Sequence, residues 1–178
     1  MSKLLKEILK TALLPTAVLI SGKAIGLYFA LIFYKQSLAI THEHNQLYSV
    51  QILLADPAYT QRVNSLADIL LLFLFIGVYL YIAIRYLVYV KASGNPRTVL
   101  KLARLNLLDW ITNKNNALLK FTVWSIYGVL VGSVVLVNSI SGVSNHLVGI
   151  VGLAFCVFVL VTLIRVFELE SDKILPPQ

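Results

Sequence analysis

Four long apolar segments constrain this chain more than any other feature of its sequence. They cover residues 16–34, 66–90, 121–140 and 147–167. Each is close to the ~20 residues that an α-helix needs to cross ~30 Å of hydrocarbon. Only 13% of the residues are charged, about half the share usual in soluble proteins. The sequence therefore predicts an all-α integral membrane protein, with one transmembrane domain over residues 1–178 and four spans.

The basic residues fall mostly on one side of this predicted membrane domain. The positive-inside rule assigns that side to the cytoplasm, so we expect a protein of the cytoplasmic (inner) membrane with both termini cytoplasmic. The net charge of +7 then reflects orientation and contact with anionic inner-leaflet lipids, and we predict no nucleic-acid binding. Twelve of the fifteen basic residues lie on this side: Lys3, Lys6, Lys10, Arg85, Lys91, Arg97, Lys101, Arg104, Lys114, Lys120, Arg165 and Lys173.

Two segments on the cytoplasmic side have amphipathic patterns. Residues 1–14 place lysines on one helical face and apolar residues on the other, and Pro15 provides a bend into the first span. The basic loop 91–120 begins a helix at Asn95-Pro96. Its apolar side is expected to include Leu100. Both segments are predicted to lie in the membrane interface, although the loop helix is alternatively a docking surface for a cytoplasmic partner.

Tyrosines are concentrated in the second half of the second span. Tyr79, Tyr81, Tyr86 and Tyr89 lie toward its cytoplasmic end. Tyrosine is enriched at membrane–water interfaces, so the pattern predicts an aromatic girdle there.

Small residues recur at helical spacing within three spans. Such residues let helix backbones approach closely in lipid. Only six residues separate the third and fourth spans, which predicts an antiparallel hairpin. Packing within one chain is the favoured interpretation, and packing between copies is the alternative. The candidate packing residues are Gly22, Gly26 and Ala30 in the first span, Gly128 and Gly132 in the third, and Gly149 and Gly152 in the fourth.

Lys23 is the most unusual position, because it places a charge inside the first span. An unpaired charge there costs several kcal/mol. A lysine can extend its stem toward the interface or pair with an acid, and Asp68 is the main candidate. The predicted spans put Asp68 about two helical turns nearer the outer side than Lys23. A structural role for Lys23 is favoured over a functional one.

Histidines occur only on the predicted outer face. His42 and His44 lie in the outer loop 35–65, and His146 lies between the third and fourth spans. Imidazoles can bind copper, zinc or nickel, but a His-x-His pair converges on one ion only in a loop conformation. These are weak candidates, and we predict no metal and no cofactor. No catalytic motif is found, and the single Cys156 excludes an internal disulfide.

These observations favour a non-enzymatic role. We expect an accessory or interaction subunit of a membrane complex, acting in assembly, as a scaffold or by immunity-type binding. Its partner would be another membrane protein or further copies of the chain. The alternative is a small oligomeric transporter or channel that uses Lys23. A metal-dependent membrane enzyme that uses the outer-face histidines is less favoured.

Overall fold

The computed structural model describes residues 3–34, 57–94, 96–105 and 117–174, and these residues form helices without any strand. Four of the helices are long and apolar enough to cross a membrane. The predicted all-α class with four candidate spans is therefore confirmed. The described helices are α1 (Lys3–Tyr34), α2 (Pro57–Gly94), α3 (Pro96–Arg104), α4 (Ala117–Ile140) and α5 (His146–Ile174).

The helices are longer than the predicted spans. Helix α1 starts at Lys3 and continues through Pro15, so residues 3–14 belong to the same helix as the first span. Helix α2 starts at Pro57, where proline is favoured because the first helical residues need no N–H donor. Residues 57–65, assigned above to the outer loop, are therefore helical. Residues 91–94 and 117–120 of the predicted basic loop likewise belong to α2 and α4.

Helix α3 begins at Pro96, as the Asn95-Pro96 pattern predicts, and packs against α2. Leu102 is 8% exposed, whereas Leu100, on the predicted apolar side, is 61% exposed. The predicted interfacial location of this helix stays a prediction. The contact with α2 rather than the composition of α3 alone determines which leucine is covered.

The four long helices form two antiparallel hairpins, α1 with α2 and α4 with α5. Helix α2 also packs against α4 and α5 and joins the hairpins into one bundle. We call the end of the bundle at which α1 ends and α2 begins the turn end; the turn of residues 141–145 lies there too. The opposite end, where α1 begins and α5 ends, is the terminal end.

The predicted tight connection between α4 and α5 is present. Gly142 has a φ of 74°, a left-handed conformation that glycine adopts without the steric cost of a Cβ. The Asn145 side chain then accepts a hydrogen bond from the Leu147 N–H at 3.1 Å. This bond caps the start of α5, so the two helices turn back on each other within a few residues.

Aromatic side chains fill the centre of the bundle. Phe75 and Trp124 pack with their ring centroids 5.2 Å apart. Tyr79 and Tyr86 are also buried, and the Tyr86 ring stacks on Phe121. The predicted aromatic girdle is therefore wrong for these two tyrosines, whereas Tyr81 is exposed. The outer surface of the long helices is largely apolar, as a lipid environment requires.

Candidate functional site

An ion pair inside the candidate spans joins α1 to α2. The ammonium of Lys23 contacts the Asp68 carboxylate, and the two side chains are 19% and 1% exposed. Both residues are predicted from the sequence as a possible pair, but the predicted difference of two helical turns between their depths is wrong. The apolar stretch of α2 begins at Ala58, so Asp68 lies about 15 Å along the helix from its turn-end limit. Lys23 lies about 17 Å from Tyr34, which places the two charges at one level.

Close approach of the two backbones brings these charges together. Gly26 lies one turn from Lys23, and a Cβ added at Gly26 would lie 2.8 Å from the carbonyl oxygen of Ala67, the neighbour of Asp68. A larger residue at position 26 would force α1 and α2 apart. The predicted packing role of Gly26 and the ion pair are thus parts of one contact.

A residue of the second hairpin holds the other carboxylate oxygen. The Asn138 side-chain amide on α4 donates a hydrogen bond to Asp68 Oδ2 at 3.2 Å. Asn138 is buried and was not singled out from the sequence, although an amide in an apolar span is an available signal. Asp68 therefore binds both hairpins, with a cation on one oxygen and an amide on the other.

The pair is neutral as a unit, which makes its burial tolerable. An isolated charge in hydrocarbon is costly, and a buried ion pair recovers that cost only when its remaining hydrogen-bonding groups are satisfied. Lys23 and Asn138 provide this for Asp68. The arrangement can orient two hairpins, and it presents a carboxylate and an ammonium within the bundle.

Two further polar side chains are buried on the turn-end side of the pair. Asn64 lies one helical turn from Asp68 on the same face of α2, and Ser144 lies in the α4–α5 turn. They are 1% and 0% exposed. In the part of the chain that the structure describes, the Asn64 amide nitrogen, the Asn64 amide oxygen and the Ser144 hydroxyl have no hydrogen-bond partner. Neither residue stands out in the sequence pattern.

A separate polar cluster lies toward the terminal end. The Tyr79 hydroxyl is 2.5 Å from Thr162 Oγ1 and 3.4 Å from Ser125 Oγ. Two helical turns further along α2, the Tyr86 hydroxyl donates a hydrogen bond to the Glu170 carboxylate at 2.6 Å. The apolar side chains of Leu71, Leu72 and Phe75, all buried, occupy α2 between these groups and Asp68.

The predicted packing residues lie against other helices of the same chain. A Cβ at Gly22 would be 2.9 Å from the Leu71 side chain, and one at Gly128 would be 3.2 Å from Val159. Gly132 and Gly152 face each other, since a Cβ at Gly132 would lie 2.8 Å from the Gly152 oxygen. In the same way Gly149 faces Ser139, and Ala30 is fully buried.

Gly77 differs from the other glycines of the described spans. In the part of the chain that the structure describes, no atom beyond the chain neighbours and the local helix backbone lies within 4 Å of a Cβ built at this position. Gly77 is part of a groove between α1 and α2 on the surface of the bundle that faces away from its core. Phe73 in this groove is 77% exposed. The groove is lined by Gly22, Ile25, Phe29, Leu70, Phe73, Leu74, Gly77 and Val78.

The histidines do not form a site in the described residues. His42 and His44 lie outside that part of the chain, and His146 is the exposed first residue of α5. Among the residues that the structure describes, no group of three potential metal ligands is found. The thiol of Cys156 is free and buried between α4 and α5.

Fold and site together define the class as a helical bundle with four candidate membrane-spanning helices and an ion pair between two of them. Comparison of the chain with models of known protein families, with curated proteins and with solved structures finds no match.

Proposed function

We propose that this chain is a multi-pass protein of the cytoplasmic membrane, with both ends in the cytoplasm, and that it acts by binding a transmembrane helix of a partner protein rather than by catalysis. The distribution of charge supports the orientation. Basic residues of the described helices cluster toward the terminal end, whereas Arg62 lies near the turn end. Positive charge marks the cytoplasmic side of membrane proteins.

The open position of Gly77 is the observation that carries the partner-binding role. Glycine inside a helix costs about 1 kcal/mol relative to alanine. The other glycines of the described spans offset this cost by close contact with a helix of the same chain. Gly77 makes no such contact with the described residues, so we attribute its small size to a partner outside the bundle.

The groove over Gly77 has the properties of a helix-binding surface. In lipid, helices associate through close packing because the hydrophobic effect does not drive them together. A glycine in the groove lets a foreign backbone approach, and the exposed Phe29 and Phe73 offer large areas for dispersion contacts. An apolar transmembrane helix with a small or flat face fits this surface.

The test is purification of the chain in mild detergent at native expression, with mass spectrometry of the proteins that accompany it. We expect a stoichiometric membrane protein with wild type and its loss with Gly77→Leu, which fills the groove. Ala154→Leu is the matched control, because Ala154 is an exposed small residue on α5. Equal recovery of the partner with both variants would refute the proposed surface. If the chain is recovered as a homo-oligomer that Gly77→Leu dissociates, the helix bound in the groove belongs to a second copy of this chain and not to a foreign protein.

Orientation is tested separately with single cysteines in a Cys156→Ala background. Ser141 in the turn and Arg104 in α3 are both exposed. In sealed spheroplasts, an impermeant maleimide should label Ser141→Cys at once and Arg104→Cys only after lysis. The reverse pattern would contradict cytoplasmic termini.

Transport is the second candidate, and the Lys23–Asp68 pair favours it, because charges within spans often mark substrate or ion paths. Against it, the ammonium is already neutralised within the chain and the carboxylate is also held by Asn138. The double variant Lys23→Met/Asp68→Asn separates the two roles. A transporter should lose its flux, whereas a partner-binding protein should still recover its partner.

A further inference from the structure

We infer that Asn64 and Ser144 hold bound water inside the bundle, and that this water hydrates the Lys23–Asp68 pair from the turn end. Such water would be present whether or not the protein binds a partner. The Asn64 and Ser144 side chains are almost completely buried, and their polar atoms have no partner within the described residues. Buried polar groups without partners are rare in native proteins, and an unobserved water is a common reason.

One hydrogen bond brings together the two segments that carry Asn64 and Ser144. The Asn145 N–H donates to Ser65 Oγ at 2.8 Å, and Ser144 and Asn64 are the residues immediately before Asn145 and Ser65. The Ser144 N–H donates to the Asn138 carbonyl oxygen at 3.1 Å. Because the Asn138 side chain binds Asp68, the same few residues connect the unpartnered groups to the ion pair.

The chemistry of these groups selects water as the occupant. Asn64 offers an acceptor and two N–H donors, and Ser144 offers one hydroxyl that can do either. A neutral guest that both donates and accepts satisfies this mixed set. A metal cation would add a net charge beside a pair that is already neutral, in a region where uncompensated charge is costly.

An apolar layer on the terminal-end side of Asp68 restricts the proposed hydration to the turn-end side. Leu71, Leu72 and Phe75 are buried between Asp68 and the Tyr79 cluster. Polar groups on the turn-end side include Ser65 and Asn145, which also line an open cleft at that end of the bundle. Bound water at Asn64 and Ser144 thus continues the polar region from the turn end to Asp68.

A double-mutant cycle tests the shared water. Asn64→Leu and Ser144→Ala should each lower the apparent Tm in detergent by about 2–4 °C. The double variant should lower the Tm by less than the sum of the two single changes, because each single change already removes the same bound water. Ser21→Ala is the control partner. The exposed Ser21 hydroxyl donates to backbone carbonyl groups of α1 itself, so the effect of this change should add to that of Asn64→Leu. An unchanged or raised Tm for Asn64→Leu would overturn the inference, because an apolar replacement of a dry, unpaired amide is neutral or stabilising.

A second measurement needs no destabilising variant. In micelles, with asparagine labelled with ¹⁵N, the Asn64 side-chain amide of wild type should show a direct NMR cross-peak to long-lived water. The peak is assigned by its absence in a conservative Asn64→Gln variant or in Asn64→Leu. A resolved Asn64 amide without a water cross-peak would overturn the proposal even if the thermal data agreed with it.

Discussion

Replacing Lys23 by methionine removes the cation from Asp68 and keeps most of the apolar stem of the side chain. The carboxylate that remains is 1% exposed and, among the described residues, keeps the Asn138 hydrogen bond of 3.2 Å. Removal of one partner from a buried pair costs about 3–5 kcal/mol, because the other charge stays buried without compensation. We expect Lys23→Met to lower the free energy of unfolding by that amount.

The second change isolates the cause. Asp68→Asn, added to Lys23→Met, removes the remaining charge and keeps an acceptor oxygen for Asn138. Since replacing both members of a buried pair is often neutral, the double variant should return to within about 1 kcal/mol of wild type. A single Asp68→Asn change should cost less than Lys23→Met, because Lys23 is 19% exposed and its stem can turn toward the interface.

The assay is unfolding by SDS in mixed micelles, followed by tryptophan fluorescence. Trp124 is buried against Phe75 and reports on the contact between the hairpins, so a Trp110→Phe background makes it the only tryptophan. A free energy of unfolding for Lys23→Met within about 1 kcal/mol of wild type would contradict the cost of an unpaired buried charge. A double variant as unstable as Lys23→Met would contradict it too, because the loss would then not come from an unpaired charge.

Further predictions use the same titration. Gly26→Ala should destabilise the bundle by about 1–3 kcal/mol, because its Cβ would lie 2.8 Å from the Ala67 oxygen; a neutral result would show that α1 and α2 do not need this approach. Gly77→Ala should instead be neutral or stabilising by up to about 1 kcal/mol, since open space surrounds a Cβ at this position. A large decrease in the free energy of unfolding would contradict the open space at Gly77. Tyr79→Phe should cost about 0.6–1.7 kcal/mol by removing the 2.5 Å contact with Thr162, and no change in unfolding would mean that this contact is not formed.

Several features of the fold could be predicted from the sequence, because lipid imposes them on any chain. A helix that crosses hydrocarbon must satisfy its own backbone and be apolar over about 20 residues, so the number and approximate position of the spans follow from composition. Local chemistry also predicts the start of α3 at Pro96 and the tight turn before α5. Small residues at helical spacing indicated which faces pack closely, and Lys23 stood out because charge is rare in a span.

Contacts between helices depend on depth and rotation, which a linear pattern does not determine. The limits of α2 had to be known before Asp68 could be placed level with Lys23, and Asn138 joins them only because α4 packs beside α2. Tyr79 and Tyr86 have the residue type and the position in the span that are typical of an interfacial girdle, yet the rotation of α2 buries them in the bundle. Tilt and rotation of a span are set by the helices packed around it, so the tertiary structure alone decided which polar groups meet.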